Sequence, residues 1–583
     1  MGLFFLDYGA GNVQSLANSL KKLGYEFQWI RTPEDFDKAT LTDLSIVLQS
    51  LIFPGVGAFG SAITALQSKG LLEPLRKYIE SGRPYFGICI GMQVLFESST
   101  ESPGLKGLGL IPFTIDLFDS TEKAVPHIGW NSADLLDSAD KSDEGVSASS
   151  HYYFVHSYRA PYDPEKSPET AQWAHSVTQY GQEVFIASVR KANVFGTQFH
   201  PEKSGEAGLK IIAAWLSEPE SQRSVAPPTP RIARPPRPTH GLTKRIVACM
   251  DVRTNDDGDL VVTKGDQYDV REKAPDTPGT IQTTSGGGRA VRNLGKPVAL
   301  AERYYTAGAD ELCLMNITSF RHSPLQDQPM LAVVRAAAEE VFVPLTIGGG
   351  IKDTVDPDGT RRSALEVASL YFRAGADKVS IASEAVYTVE RMIERGKAAG
   401  GDGSGGNGIG EGDGSSAIET IAHAYGRQAV VVSIDPRRVY VDPSTYSGEF
   451  KDQIIYGKPG TPDEGKAWWY QCTVSGGREN RPLSVVQLAK GVEKLGAGEL
   501  VLNSIDRDGT GKGFDIDLIQ LVRKNVSIPI IASSGAGSAA HFVEVFEKTG
   551  VEAALAAGIF HRGEVGIGEV KEALGNANLG VRV

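Results

Sequence analysis

The second half of the chain alternates short apolar runs, typical of buried strands, with longer stretches that have the apolar spacing of helices. The strand candidates begin near residues 245, 311, 343, 377, 428, 499, 528 and 552. Helical spacing is clearest over 363–373 and 483–495. Alternating strands and helices form a parallel sheet, and eight such units in about 340 residues fit a TIM-type (βα)₈ barrel.

The same region contains an internal repeat. Three pairs of segments correspond, namely 245–252 with 428–436, 307–317 with 496–506, and 343–351 with 528–537. A repeat at a near-constant offset of about 185 residues indicates a doubled structural unit. We therefore predict a barrel built from two half-barrel repeats.

A Pro- and Arg-rich stretch separates this region from an N-terminal segment. Its composition cannot form a packed core and is typical of a semi-rigid linker. A chain of 583 residues also exceeds what one core usually serves. We predict an N-terminal domain over 1–217, a linker over 218–240 and a barrel over 241–583. Segments 272–292 and 400–416 are rich in small residues and are expected to be loop insertions.

Charge and composition narrow the possible functions. The net charge of −12 argues against nucleic acid as the main partner. No window is apolar enough to span a membrane, and the first residues lack a signal-peptide pattern. The four Cys residues match no zinc spacing, which favours a reduced, cytoplasmic compartment. We expect no metal, no organic cofactor and no membrane partner.

A candidate nucleophile lies in the sequence YFGICIGMQ. Gly87 and Gly91 flank Cys89 and permit a sharp turn from strand to helix, where a thiol is activated. His200 and Glu202, in FHPEKSG, supply a base and an acid that orients it. A lone Cys is usually a small core residue, and we favour that interpretation for the remaining three, Cys249, Cys313 and Cys472. An oxyanion hole is expected from the backbone N–H groups of Val56, Gly57 and Ile90.

Two carboxylates mark a second candidate site. Asp251 is predicted to end barrel strand 1 and Asp435 to end strand 5, so they should face each other across the carboxyl-terminal rim. Paired carboxylates in unlike surroundings can divide general-acid and general-base work. Strand-end Asp residues also cap helices, but the matched repeat positions favour catalysis.

Glycine-containing turns occur at equivalent places in both half-repeats. Backbone N–H groups at such turns can bind phosphate, although a single Gly run is often only a turn. Two of them predict a ligand with a phosphate at each end. The predicted phosphate contacts are Gly349, Gly350, Ala382 and Ser383 at one site, and Gly535, Ala557 and Gly558 at the other.

Four charged residues lie at the predicted starts of barrel strands 1, 2, 4 and 6, and therefore at the bottom of the barrel. They are Arg245, Glu311, Lys378 and Glu499. Two positive and two negative side chains can neutralise one another as a ring. A purely structural ion-pair cluster is the alternative, because charges on this face commonly serve stability.

The motifs DYGAGN, PGVGAFG, GICIGMQ, PHIGWN, YFVHSY and FHPEKSG resemble those of class I glutamine amidotransferases. With the barrel motifs, nearly the whole chain resembles the fused fungal and plant type of imidazole glycerol phosphate synthase. The resemblance implies an α/β fold, with a flavodoxin-like amidotransferase domain followed by the barrel. It assigns Cys89 as nucleophile, His200 as base and Glu202 as orienting acid. It also implies glutamine contacts at Gln93, His156, Ser157 and Tyr158. The segment 41–51 is longer than the family pattern.

For the barrel, the resemblance implies that ammonia converts the bisphosphate PRFAR into imidazole glycerol phosphate and AICAR. It assigns Asp251 and Asp435 as acid/base residues. Substrate contacts would include Lys264 and the 505–513 loop with Gly509. The charged ring becomes a gate into an ammonia tunnel, and Lys203 pairs with Asp377 across the interface. We expect a monomer carrying both domains. A phosphosugar isomerase and an inactive scaffold or metabolite sensor are the alternatives.

Overall fold

The structure is a computed structural model. It describes residues 2–9, 11–40, 49–55, 57–136, 145–217, 231–254, 260–263, 271–273, 289–291, 297–317, 325, 328–398 and 409–582. Val56 and Lys264 lie outside the described residues. So do 218–230 of the linker and much of the segments 41–51, 272–292 and 400–416.

The N-terminal domain is built on an eight-stranded sheet. In spatial order its strands are Gln28–Ile30, Gly2–Leu6, Gln49–Phe53, Tyr85–Ile88, Val194–Thr197, Glu183–Lys191, Ala174–Tyr180 and Asp134–Leu135. The first five are parallel and the last three add on antiparallel. Most of their buried positions are apolar, as expected for a sheet covered on both faces. The buried polar positions are Ser50, Ser176, Thr178, Gln179, Ser188 and Thr197.

Smaller sheets and helices complete this domain. Further strands are Phe96–Ser99, Ile111–Leu117 and Tyr158–Arg159 in one sheet, and His127–Ser132 paired with His151–His156 in another. The helices are Val13–Lys22, Pro33–Thr40, Phe59–Ser68, Leu72–Glu80, Ile90–Gln93, Pro168–Ala171 and Gly205–Ser217, with a 3₁₀ turn at Pro201–Lys203. The α/β class predicted for this part of the chain is confirmed.

The second domain is a closed parallel barrel. Its strands, called barrel strands 1 to 8 below, are Arg245–Thr254, Glu311–Asn316, Leu345–Gly348, Lys378–Ile381, Val430–Ile434, Glu499–Asn503, Ile530–Ser533 and Ala553–Ala556. Neighbours pair in this order, and strand 1 also pairs with strand 8, which closes the barrel. The predicted (βα)₈ barrel is confirmed, and each strand starts within two residues of its predicted position.

Helices surround the barrel, and their ends are defined by the sequence. They are Pro297–Thr306, Pro329–Glu340, Ala364–Ala374, Ser383–Ala398, Ala417–Tyr425, Val485–Leu495, Ile516–Arg523, Ala539–Thr549, Gly558–His561 and Ile567–Asn576. Ser363 and Ser484 each begin a helix with a capping box, in which side chain and backbone satisfy each other's hydrogen bonds. Gly375 and Gly496 end those two helices in the left-handed conformation that glycine tolerates best.

The carboxyl-terminal rim carries additions that were not predicted. Strand 1 continues past Asp251 to Thr254 and pairs with Leu260–Thr263, so the prediction that Asp251 ends this strand is wrong. After strand 5, Pro436–Val441, Ile455–Tyr456, Ala467–Val474 and Glu479–Ser484 form a four-stranded antiparallel sheet. Two ribbons, Arg271–Lys273 with Arg289–Val291 and Thr354–Val355 with Arg361–Arg362, are also present. The first ribbon partly occupies a segment expected to be a loop.

Candidate active sites and the joint between the domains

Cys89 occupies a sharp turn between the strand Tyr85–Ile88 and the short helix Ile90–Gln93. Its own backbone has a positive φ of 48°, which is rare for a residue with a side chain. The flanking glycines serve close packing, because a Cβ at Gly87 would overlap the carbonyl of Gly91. The thiol is therefore held at a strained, buried strand-to-helix turn, the geometry of a nucleophile elbow.

His200 and Glu202 lie beside this turn, as predicted for a base and its orienting acid. His200 Nδ1 and Glu202 Oε1 are 2.7 Å apart, which directs the other ring nitrogen toward Cys89. Burial disfavours the charged ring, yet the Glu202 carboxylate and the Cys89 sulfur outweigh this effect. They raise the pKa of His200 well above its usual value. The arrangement favours a protonated imidazole beside the sulfur.

A further buried side chain, Gln198, contacts the sulfur and was not predicted. Its Nε2 lies 3.5 Å from Cys89 Sγ. Gln93, a predicted glutamine contact, donates from Nε2 to Gln198 Oε1 at 3.0 Å and to the carbonyl of Tyr158 at 3.2 Å. The available signal was proximity in the chain, because Gln198 precedes His200 by two residues.

The other predicted glutamine contacts lie next to this network. His156 Nδ1 is 2.7 Å from the carbonyl of Tyr158. The hydroxyl of Ser157 is buried and has no hydrogen-bond partner among the described residues. Tyr158 is half-buried, and burial raises the pKa of its hydroxyl. Of these residues, Tyr158 contacts Gln93 directly through its backbone carbonyl.

The predicted oxyanion hole is described only in part. The backbone of Gly55 packs so closely on the elbow that a Cβ there would overlap Ile88 O and Ile90 N. Gly57 has a φ of +140°, which residues with side chains rarely adopt. The N–H of Ile90 follows the nucleophile directly, whereas Val56 lies outside the described residues.

In the barrel, strands 1 and 5 are opposite each other in the closed sheet, and they carry Asp251 and Asp435. Asp435 directly follows strand 5, and its Oδ1 accepts a hydrogen bond from Asn503 Nδ2 at 2.9 Å. The side chain retains some exposure at the barrel mouth. Surrounding protein nevertheless desolvates its carboxyl and raises its pKa, against the lowering effect of Asn503. A raised pKa suits a group that both donates and accepts a proton.

The predicted phosphate contacts lie on the same rim. Gly349 follows strand 3 with a positive φ, and a Cβ there would overlap the carbonyl of Asn316, so only Gly fits. Gly350 is open to solvent space. Ala382 and Ser383 begin the helix after strand 4, and Ser383 Oγ accepts a hydrogen bond from the N–H of Ser475 at 3.0 Å.

The second group of predicted phosphate contacts is built in a similar way. Gly535 follows strand 7 with a positive φ, and its carbonyl accepts a hydrogen bond from Gly513 N at 2.8 Å. Gly509 lies on the same loop as Gly513. Ala557 and Gly558 begin the short helix after strand 8. The two groups therefore lie after strands 3 and 4 and after strands 7 and 8, on opposite sides of the barrel mouth.

The four charged residues predicted at the barrel bottom form a closed, buried ring. Arg245 pairs with Glu311 at 2.7 Å and with Glu499, and Lys378 pairs with the same two acids at 2.7 and 2.6 Å. Thr346 Oγ1 also donates to Glu311 at 2.6 Å. Each ring side chain is at most 1% exposed, so the two cations and two anions must neutralise each other.

The N-terminal domain packs directly under this ring. The side chain of Trp130 donates to the carbonyl of Asp310 at 3.0 Å, and Gly129 lies against the side chain of Arg245. The Tyr153 hydroxyl is buried without a hydrogen-bond partner among the described residues. Burial raises its pKa, and Glu311 adds to this effect, which places Tyr153 next to the ring. The thiol domain thus docks on the face opposite the Asp251–Asp435 rim.

Comparison with known proteins identifies both domains. Residues 4–217 match the model of the family described as glutamine amidotransferase class-I, and residues 245–402 and 412–566 match that of histidine biosynthesis protein. The imidazole glycerol phosphate synthase hisHF of Emericella nidulans is 50% identical over 580 residues, covering 99% of this chain and 98% of that protein. The chain belongs to the imidazole glycerol phosphate synthase family.

Two further members of the imidazole glycerol phosphate synthase family are similarly close. The hisHF protein of Schizosaccharomyces pombe is 49% identical over 569 residues, covering 98% of this chain and 97% of its own length. The chloroplastic hisHF protein of Arabidopsis thaliana is 49% identical over 584 residues, covering 99% of this chain and 89% of its own length. The predicted resemblance, the enzyme class and the place in histidine biosynthesis are confirmed.

Further features of the described residues concern metal ligands, membrane spans, thiols and the linker. No cluster of His, Cys, Asp and Glu that could hold a metal occurs in the described part of the chain. None of its described helices is long and apolar enough to cross a membrane. All four Cys residues are unpaired and buried. Of the linker, residues 231–240 lie along the N-terminal domain, where Gln179 Nε2 donates to the carbonyl of Arg237 at 2.8 Å.

Proposed function

We propose that this chain hydrolyses glutamine to glutamate and ammonia, and that its barrel uses the ammonia to convert PRFAR into imidazole glycerol phosphate and AICAR. The observation that carries the proposal is the placement of two chemically different sites at opposite ends of one barrel. A thiol with a paired imidazole lies beneath the bottom face. Two carboxylates lie at the opposite rim.

In the first reaction, the Cys89 thiolate attacks the side-chain amide carbon of glutamine. The oxyanion that develops accepts hydrogen bonds from the N–H of Ile90 and from the Gly55–Gly57 turn, of which Val56 is part. His200 gives its proton to the leaving nitrogen, so ammonia departs as the C–N bond breaks. Water then cleaves the thioester and returns the proton to His200. Gln93, His156, Ser157 and Tyr158 contact the glutamine.

In the second reaction, ammonia attacks PRFAR between Asp251 and Asp435, which share the proton transfers. The two glycine-containing groups and the helix N-termini beside them hold its phosphates, with Gly509 and Lys264 as further contacts. Gly558 has no hydroxyl, so its contribution is through the backbone N–H alone. A ligand with two phosphates matches two anion sites on opposite sides of the mouth.

Free ammonia is mostly protonated in water at neutral pH and is then no longer nucleophilic. A closed path between the two sites would keep it unprotonated until it reaches the barrel. We propose that the ring formed by Arg245, Glu311, Lys378 and Glu499 is the gate of that path. Lys203 and Asp377 hold the two domains in register beside it. We further propose a monomer that acts in the cytoplasm without a nucleic-acid partner, consistent with a net charge of −12.

Two variants separate the reactions. Cys89→Ala should abolish synthesis from glutamine and preserve synthesis from ammonium salt. Asp251→Asn should abolish synthesis from either nitrogen source, whereas glutamine hydrolysis continues. Product analysis with PRFAR and each nitrogen source measures both effects. A Cys89→Ala enzyme that still uses glutamine would refute the assignment of the nucleophile.

A further inference from the structure

We infer that the side-chain amide of Gln198 is a hydrogen-bond donor to the Cys89 thiolate, held in that orientation by a buried chain of hydrogen bonds. Gln198 is 1% exposed, and its Nε2 lies 3.5 Å from Cys89 Sγ. The inference deepens the proposed glutamine hydrolysis and rests on it. It adds Gln198 as a residue that stabilises negative charge on the sulfur.

The orientation of the amide follows from its neighbours. The carbonyl of Tyr158 can only accept, so Gln93 must present its Nε2 to that oxygen, at 3.2 Å. The same Nε2 donates to Gln198 Oε1 at 3.0 Å. Because the oxygen of Gln198 is occupied on that side, its Nε2 faces the sulfur. A flipped Gln198 amide would set two donors against each other.

Two buried histidines continue the chain away from the sulfur. His156 Nδ1 donates to the Tyr158 carbonyl at 2.7 Å, so its Nε2 is unprotonated and accepts from His127 Nδ1 at 3.2 Å. His127 Nε2 in turn accepts from Asn131 Nδ2 at 3.2 Å. Burial lowers the pKa of both rings, that of His156 to about 3, so both are neutral. One tautomer of each ring satisfies these contacts and keeps the Tyr158 carbonyl as an acceptor, which supports the orientation of Gln93 and therefore that of Gln198.

A donor at this place is useful because the sulfur is negative at two points of the reaction. It is a thiolate before attack on glutamine. It becomes a thiolate again when water bonds to the thioester carbon, a proton passes to His200 and the C–S electron pair returns to sulfur. A hydrogen bond to a charged acceptor is stronger than one to a neutral acceptor, and a thioester sulfur accepts weakly. Gln198 therefore stabilises the attacking and the departing thiolate more than the intermediate.

The test is the pH dependence of Cys89 alkylation by iodoacetamide in the full chain. Peptide mass spectrometry separates Cys89 from the other three buried thiols. Gln198→Met keeps the length of the side chain but cannot donate, and Gln198→Glu is nearly isosteric and places a carboxylate beside the sulfur. We expect alkylation near neutral pH to slow by up to about tenfold in both variants, because the thiolate loses a hydrogen bond to a charged acceptor.

The matched control is Gln179→Met. Gln179 is another buried glutamine, and its amide donates to the carbonyls of Gly181 and Arg237 instead of to the sulfur. This variant should keep the wild-type alkylation profile. Thermal unfolding followed by fluorescence reports on folding of the N-terminal domain in all variants. If Gln198→Met does not fold, Gln198→Glu decides the question.

The outcomes distinguish the inference from the proposed function. A wild-type alkylation profile in a folded Gln198 variant overturns the inference, even if the wild-type enzyme hydrolyses glutamine. A wild-type enzyme that releases no ammonia from glutamine overturns the proposed function, whereas a shifted alkylation profile would still support the hydrogen bond. A shift together with at least a tenfold lower kcat for glutamine hydrolysis supports both.

Discussion

The ammonium group of Lys203 and the carboxylate of Asp377 form an ion pair between the two domains, with Nζ and Oδ2 2.8 Å apart. Lys203 directly follows Glu202 of the thiol site, and Asp377 directly precedes Lys378 of the charged ring. Asn12 Nδ2 also donates to Asp377 Oδ1 at 2.8 Å. One carboxylate therefore connects the catalytic loop of the first domain with the bottom of the second.

This pair should show strong energetic coupling. Both side chains are largely buried, so removal of one partner leaves a charge without compensation. In a double-mutant cycle with Lys203→Met and Asp377→Asn, measured on kcat/KM for glutamine, we expect a coupling of about 1–3 kcal/mol. The exposed pair of Lys166 and Asp163 is the control and should give about zero. Additive effects at the buried pair would contradict a role in docking.

The charged ring should control how efficiently ammonia reaches the barrel. Glu499→Gln removes one of two acids and leaves Arg245 and Lys378 to share Glu311. The ratio of glutamine hydrolysed to product formed should then depart from that of the wild type. Glu552→Gln is the matched control, because Glu552 is a buried acid at the start of strand 8 that pairs with Arg523 outside the ring. An unchanged ratio in Glu499→Gln would remove the gate from the mechanism.

The raised pKa of Asp435 predicts a shift in the pH profile of the barrel reaction. Asn503 lowers this pKa by donating to the carboxylate, so Asn503→Leu should raise the pKa further, by about one unit. The limb of the profile that belongs to Asp435 should move to higher pH, whether Asp435 acts as acid or as base. The measurement is the rate of synthesis at a fixed concentration of unprotonated ammonia.

Ser433→Ala is the control for this prediction. Ser433 also accepts a hydrogen bond from Asn503, at 2.9 Å. The substitution removes this contact and leaves the hydrogen bond between Asn503 and Asp435 in place. Its profile should stay that of the wild type. A profile that does not move in Asn503→Leu would show that Asp435 does not titrate in the rate-determining step.

The paired histidines predict that the first domain loses stability in acid. Burial lowers the pKa of His127 and His156 in the folded state, so the unfolded chain binds more protons. Their contribution is present above the unfolded pKa of about 6.5 and is lost as the pH falls toward the folded pKa of about 3 for His156. At pH 5 His156 should cost about 2 kcal/mol of unfolding free energy, and His127 adds to this cost.

Thermal unfolding followed by fluorescence between pH 4 and pH 8 checks this expectation. His127→Gln should reduce the pH dependence by about one proton. His423→Gln changes an exposed histidine and should leave the dependence unchanged. A variant at His127 with the wild-type slope would show that the pair does not titrate on unfolding.

The barrel was predictable because its strands are buried on both faces. Continuous apolar runs such as that before Asp435 identify the strands, and their order assigns Asp251 and Asp435 to opposite sides. The extension of strand 1 was not predictable, because its pairing with Leu260–Thr263 depends on tertiary contacts and not on the local sequence. The four-stranded sheet after strand 5 was missed for a similar reason, since its strands pair only with one another in the folded chain.

The residues of the active sites also divide into those that the sequence predicts and those that it does not. The positions of Cys89, His200 and Glu202 follow from local motifs, whereas Gln198 is an ordinary polar residue until the fold buries it against the sulfur. The strain also lies elsewhere than expected. The glycines around Cys89 were expected to permit the sharp turn, but the positive φ belongs to Cys89 itself, and the glycines allow backbone segments to touch.

The closure of strand 1 on strand 8 has a consequence for how the molecule is made. The surface on which the first domain docks is formed by residues between Arg245 and Arg582. The guanidinium of Arg582 stacks 4.2 Å from the centre of the Trp130 ring. At about 5–20 residues per second, a ribosome needs on the order of half a minute to deliver that stretch. During that interval the first domain has been synthesised, but the surface on which it docks is still incomplete.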